Sequence, residues 1–194
     1  MRQKRQPQPS PSPQRPTPAE LRAARDRRVP DIVAPDLSIL FVGINPGLYS
    51  GAVGHHFARP GNRFWPALQR AGLTPHLFTP QDERELLKSG IGIANIVNRT
   101  TAAASELSMK ELAAGGRRLA AKIRRLKPRV VAFLGIEAYR SAFGVRQVSV
   151  GPQSASFGNT RIWVLPNPSG LNAHYQLKDF ARLFRRLRTV LRAK

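Results

Sequence analysis

The 194-residue chain carries 32 Lys and Arg against 11 Asp and Glu, a formal net charge of +21, with 41% apolar residues and no cysteine. That length and apolar content suit one domain with a sizeable core plus a tail, and the missing cysteine excludes disulfides, thiolate zinc sites and cysteine-ligated iron–sulfur clusters. A charge surplus of this size must lie on the surface, so the expected partner is a polyanion, nucleic acid first, against the plainer reading of a solvated basic surface. No apolar run nears the roughly 18 residues of a membrane span, and the basic N-terminus lacks a signal peptide's apolar segment, so the expectation is a cytoplasmic protein without membrane contact.

In chain order, residues 1–18 mix Pro, Gln and Ser with Arg2, Lys4, Arg5 and Arg15 and hold no aromatic or β-branched apolar residue, which predicts a disordered basic tail. A solubilising leader and an electrostatic tether to phosphates both stay open as its role. Residues 19–36 read as a short basic helix and a linker, and 37–194 as the folded domain. Leu37 to Val42 is a continuous apolar run of strand length stopped by Gly43. A long Gly/Pro-rich loop follows, then a helix over Arg63 to Ala71 and another opened by Thr79-Pro80. Ile91 to Val97 is the next strand. Ser108 to Glu111 forms a capping box, after which Leu112, Leu119, Ile123 and Leu126 recur at helical spacing between basic residues. Val130 to Leu134 is a third buried strand, Ile136 to Phe143 a short helix, and Ile162 to Leu165 a further strand. The last helix begins near Gln176 and buries Leu177, Phe180, Phe184, Leu187 and Leu191. Strands alternating with crossover helices predict a three-layer α/β/α sandwich on a mostly parallel central sheet.

Active crevices of such sheets form beyond the carboxyl ends of strands, which directs attention to two loops. The first runs Gly43-Ile44-Asn45-Pro46-Gly47-Leu48, then Gly51, Gly54-His55-His56-Phe57 and Pro60-Gly61-Asn62-Arg63-Phe64-Trp65; the second is Leu165-Pro166-Asn167-Pro168-Ser169-Gly170-Leu171-Asn172. The glycine spacing does not make a dinucleotide fingerprint, and no P-loop is present. The Asn45-Pro46 step fixes one carboxamide at a strand end, where it would hold a polar planar group or a water, or simply cap a turn. His55 and His56 are adjacent and cannot readily face one metal, so no metal or other cofactor is expected. Leu171, on a tight polar turn, is an odd place for a core residue and suits a wedge pushed into a base stack.

Both loops resemble the signature motifs of the mismatch-specific uracil/thymine DNA glycosylase family, within the uracil-DNA glycosylase superfamily. The resemblance runs from about Leu37 to the C-terminal helix and includes Gly90 to Asn95, Arg99-Thr100-Thr101, Glu106-Leu107-Ser108 and Gly115-Gly116-Arg117. It implies a monofunctional enzyme of base excision repair that flips uracil, and more weakly thymine or modified pyrimidines, out of G·U or G·T pairs in double-stranded DNA and hydrolyses the N-glycosidic bond. It also implies that Asn45 holds the attacking water and that Ile44, Gly47, His56, Phe57 and Asn95 line the base pocket. Phe57 would stack on the base or else anchor the loop. By the same resemblance the backbones of Gly170 and Asn172, flanking the Leu171 wedge, would contact the widowed guanine, and Asn167 and Ser169 would hold the sugar-phosphate. Leucine at the wedge is the bacterial pattern, whereas Gly54-His55-His56, Asn95 and Thr100-Thr101 lean toward the thymine enzymes. A monomer without cofactors is expected. The alternative from another class is a non-catalytic basic nucleic-acid-binding module on the same fold.

Overall fold

A computed structural model describes residues 15–192. The basic tail anticipated over residues 1–18 falls mostly outside the described residues; its last part forms the start of the first helix. Thr17 and Glu20 make a capping box, with Pro18 at the first helical position, and open α1 (Pro18–Ala23).

The five-stranded sheet has the order β2-β1-β3-β5-β4. Strands β1 (Ile39–Gly43), β2 (Ile91–Asn95), β3 (Val130–Leu134) and β5 (Thr160–Leu165) run parallel, and the edge strand β4 (Gly151–Phe157) is antiparallel to β5. Every residue of β1, β2 and β3 is buried, as continuous apolar runs require when helices cover both faces. Alternation then sends Ile39 and Phe41 into one core and Leu40 and Val42 into the other. The first core lies under α3 (Phe64–Arg70) and α6 (Leu177–Arg192), where the Phe41 ring meets Phe64 edge-on at 5.3 Å and Phe184 at 5.2 Å. The second lies under α4 (Met109–Leu126) and α5 (Ile136–Phe143). In α4 the interior glycines 115 and 116 each cost about 1 kcal/mol of helix propensity. They are needed because a Cβ on Gly116 would stand 2.5 Å from the Ala142 carbonyl and one on Gly115 would strike that of Ile96.

Three elements were not anticipated, one of them the single 3-10 turn Ala104–Glu106. Helix α2 (Leu48–Val53) is six residues long, has no side-chain cap and contains a glycine, so it shows no helical stripe. Its Gly51 fits against Thr100, where a Cβ would clash. Strand β4 lacks β-branched residues through Gln153-Ser154-Ala155-Ser156, and it forms because β5 offers an unpaired edge. The helix opened by Thr79 is a 3-10 helix over Pro80–Ser89. The stretch read as a linker is packed: Val29 and Ile32 are buried, and Ile32 exchanges two 2.8 Å backbone hydrogen bonds with Ile93, covering the open edge of β2. Among the described residues, no helix is long and apolar enough to cross a membrane.

Candidate active site

Strand β1 is paired with β2 on one side and β3 on the other, so the strand order reverses around it and the crevice opens at its carboxyl end. The pairing with β2 continues past the strands, with Ile96 N–H donating to Gly43 O and Val97 N–H to Ile44 O, both at 3.0 Å, and Thr101 N–H to Pro46 O at 3.2 Å. Asn45 is thereby clamped between two backbone segments. Its Nδ2 donates to Thr101 Oγ1 at 2.8 Å, Arg99 O at 3.0 Å and Pro46 O at 3.2 Å. The Thr101 hydroxyl is itself committed as a donor to Ala103 O at 2.8 Å, so every neighbour of Nδ2 is an acceptor. The amide can sit only one way round, leaving Oδ1 as a fixed hydrogen-bond acceptor in the half-buried crevice.

The segment that orients Asn45 is held by charge. Arg99 grips both oxygens of Glu111, at 2.6 and 3.1 Å, and reaches Asp26 at 2.9 Å. That guanidinium, followed by the Ser108 backbone N–H, holds the Glu111 carboxyl down at about 2, and its partners raise Arg99 further above the usual arginine range.

The second cluster converges on Gly43. Asn95, its register partner on β2, is buried, and Asn95 Oδ1 would be 2.6 Å from a Cβ at Gly43, with the Phe57 ring at 3.6 Å on the same side. Only a glycine leaves room for that carboxamide. His56 Nε2 faces Pro30 O at 2.9 Å and must carry the proton, since a carbonyl only accepts; neutral His56 then offers Nδ1 as acceptor to Asn95 Nδ2 at 3.3 Å. This fixes the Asn95 amide with Oδ1 toward Gly43. Phe57 sits at a left-handed φ of 51° and stacks on Phe64 at 4.2 Å, a strained placement imposed by its surroundings. Glu83, buried, anchors that turn: it accepts from His56 N–H at 2.8 Å and contacts His55 Nδ1 at 3.0 Å. The two histidines thus diverge, and among the described residues no three acidic or histidine side chains gather in a metal-binding group.

Ile44 is half-buried against Gly135, whose Cβ would lie 3.3 Å away. Gly47 is exposed with nothing near its missing Cβ; it caps α2, accepting from Gly51 N–H at 3.0 Å, and forms a parallel bridge with Thr101.

The second loop stands on a separate support. Arg63 N–H donates to Pro168 O at 2.9 Å, and its guanidinium to Ser169 O at 2.9 Å, Asn172 O at 3.0 Å and Gly170 O at 3.4 Å. Gly170 lies so close to Gly61 that a Cβ would be 2.8 Å from its carbonyl. Leu171 is carried outward at the tip, 74% exposed. Asn172 N–H is engaged by Ser169 O at 3.0 Å, and Asn167 Oδ1 accepts from Ser169 N–H at 3.0 Å. Among the described residues Asn167 Nδ2 has no hydrogen-bond partner.

Sequence reasoning brought Asn45, Asn95, His56 and Phe57 to one place and Asn167 to Asn172 to another, and overlooked Gly43, Glu83, Arg99 and Arg63 as the groups that set them. The family model of the uracil DNA glycosylase superfamily matches residues 30–188. The chain belongs to that superfamily. Among solved structures, a solution NMR structure of a candidate uracil DNA glycosylase from Methanosarcina acetivorans is similar at 19% identity with a TM-score of 0.54, over 84% of this chain and 98% of that one. That likeness speaks to the fold, and superfamily membership supports a DNA substrate and hydrolysis of an N-glycosyl bond.

Proposed function

We propose that this superfamily member is a monofunctional DNA glycosylase that removes uracil, and more slowly thymine, mispaired with guanine in duplex DNA, acting as a cytoplasmic monomer. The observation that carries the reading is the orientation of Asn45, whose Nδ2 faces three acceptors and whose Oδ1 is left to accept. A water donating one O–H to Oδ1 would have its lone pair turned toward the sugar C1′. Cleavage of the C1′–N1 bond sends its electron pair to the pyrimidine, the water oxygen bonds C1′, and the released proton passes to solvent or to the departing base. The neutral amide orients the water and takes no proton, so departure of the base dominates the barrier and a slow enzyme is expected. Among the described residues no lysine hydrogen-bonds Asn45 or Asn95, in keeping with attack by water.

For the flipped base, Asn95 offers Oδ1 to a pyrimidine N3–H and its second Nδ2 hydrogen to O4, and Phe57 offers a ring face. Leu171 would fill the vacated stack. Because Asn172 N–H is already bonded, guanine contact from that loop would use the second lone pairs of the Gly170 and Asn172 carbonyls, which suit the guanine N1–H and amino donors. Asn167 Nδ2 and the Ser169 hydroxyl would serve the sugar-phosphate.

The test is incubation with an end-labelled duplex bearing one G·U pair, followed by alkali. Strand cleavage at the uracil is expected. Binding without cleavage would replace the reading with that of a non-catalytic module.

A further inference from the structure

Beside the crevice the cations are of two kinds: among the described residues Arg28 and Arg118 line the cavity around Asn95 with no carboxylate within salt-bridge distance, and the others are committed. Near the crevice, Arg25 pairs with Glu106, Arg99 with Glu111 and Asp26, and Arg63 with loop carbonyls. At the opposite pole, where the parallel strands β3 and β5 begin, Arg124, Arg125, Lys127, Arg129 and Arg161 are all exposed. Among the described residues none of the five lies within salt-bridge distance of a carboxylate.

Arg124, Arg125, Lys127 and Arg129 form one surface, while the Arg161 guanidinium turns to the α6 face and donates to Val190 O at 3.1 Å. Lys127 closes α4 in a left-handed conformation, and two residues on, the Arg129 carbonyl accepts from Arg161 N–H at 3.1 Å. The Arg124 guanidinium stands 5.8 Å over the ring of Phe157, whose strand partner is Thr160, next to Arg161. Of the carboxylates at that pole, Asp36 is exposed beside the patch, its N–H donating to Leu126 O at 2.8 Å, yet it makes no ion pair among the described residues, and Glu85 is taken by Lys88. Gathering four cations around a single carboxylate raises the electrostatic energy of the folded state, and a polyanion relieves it. A strand of five residues at about 3.3 Å each separates this pole from the crevice by roughly 17 Å of sheet, with the two facing opposite ways. One straight duplex cannot lie on both.

We infer that this pole is a second DNA-binding surface, which takes the phosphate backbone of a duplex segment other than the one entering the crevice, so that one molecule holds two segments and passes directly between them. The choice of DNA as the polyanion rests on the proposed glycosylase function; the surface itself does not.

The experiment uses the full chain and the variant Arg124→Gln/Arg125→Gln/Lys127→Gln/Arg129→Gln, at low salt. Dissociation from a fluorescent duplex is followed while unlabelled duplex is added, alongside single-turnover excision on a short G·U duplex. Wild-type dissociation should accelerate in proportion to competitor, because the second surface captures the new segment before the first releases; the variant should lose about nine-tenths of that acceleration. Excision by the variant should stay within about two-fold of wild type, which also shows that it is folded. If the quadruple variant does not fold, the pair Arg125→Gln/Lys127→Gln should still lose about half of the acceleration. Acceleration in a folded variant equal to wild type, or none in wild type, overturns the inference; a dimer bridging through two crevices gives the first of these. Loss of acceleration together with no excision by either protein would leave the second surface standing and remove the glycosylase reading.

Discussion

Replacing Arg63 by Met tests how the wedge loop is held, because it keeps an apolar stem and removes the group that binds three carbonyls of that loop. The contact to Gly170 O, at 3.4 Å and exposed, contributes little. The bonds to Ser169 O and Asn172 O, at 2.9 and 3.0 Å, are charge-assisted but only part-buried. About 1 kcal/mol each is a fair figure after discounting for water. Loss of about 2 kcal/mol of loop order, if extrusion of the base depends on it, slows duplex excision by about 30-fold. A single strand has little stack to open, so its excision should change by less than about three-fold. Single-turnover rates on duplex and single-stranded substrates, with Leu171→Ala beside them, give the comparison. Equal losses on both substrates would refute the argument, provided Leu171→Ala is duplex-selective. If Arg63 instead touches a phosphate, the salt slope of binding should become shallower by about 0.9; as an internal strut it should leave the slope unchanged.

Asn45→Ala should retain duplex affinity while single-turnover excision falls by about two to four orders of magnitude. Gly43→Ala should cost about 1–3 kcal/mol in a denaturant melt, since the new methyl must displace Asn95, and should lower excision more than ten-fold. Asn95→Ala removes hydrogen bonds worth about 1 kcal/mol each, and its loss should be greater on G·T than on G·U because thymine is the poorer leaving group; matched single-turnover rates decide, and equal losses would move Asn95 from base recognition to pocket architecture. Glu111 titrates at about 2 in the folded protein, below its usual 4.5, so its ion pair with Arg99 is complete above about pH 4.5 and is lost as pH falls toward 2. An acid titration of stability should show that phase in wild type and lack it in Glu111→Gln.

The layers of this fold were legible because their signals are local. The apolar runs of β1 and β3, the Ser108–Glu111 box and the stripe of α6 each follow from a few neighbouring residues. Helix α2 and strand β4 were not, since their stability comes from partners distant in sequence, Thr100 for the one and β5 for the other. The site divides in the same way. Asn45, next to a proline at a strand end, announces itself, but the direction of its amide depends on a hydroxyl 56 residues later. Glu83 lies in the run Gln81-Asp82-Glu83-Arg84-Glu85, which reads as a solvated surface, and nothing in it marks the one carboxylate turned inward. The tautomer of His56 depends on Pro30, in a stretch that reads as a linker.

In the proposed chemistry the acting groups are neutral and the charged ones are structural. A carboxylate at position 45 would set an oxygen against the carbonyls of Arg99 and Pro46, where the amide now places its N–H groups. The backbone around the crevice therefore selects a carboxamide, and a carboxamide cannot remove a proton from water. What it can do is hold a water in one orientation, which is useful only if the amide itself does not move. That requirement falls on Thr101 and on the carbonyl of Arg99, and from there on the ion pairs of Arg99 with Glu111 and Asp26. Glu83 does the same for the turn carrying His56 and Phe57, and Arg63 for the loop carrying Leu171. Arg99, Glu83 and Arg63 each fix a backbone segment that presents uncharged groups, and in the proposed chemistry the rate advantage of the arrangement rests on position, without base strength.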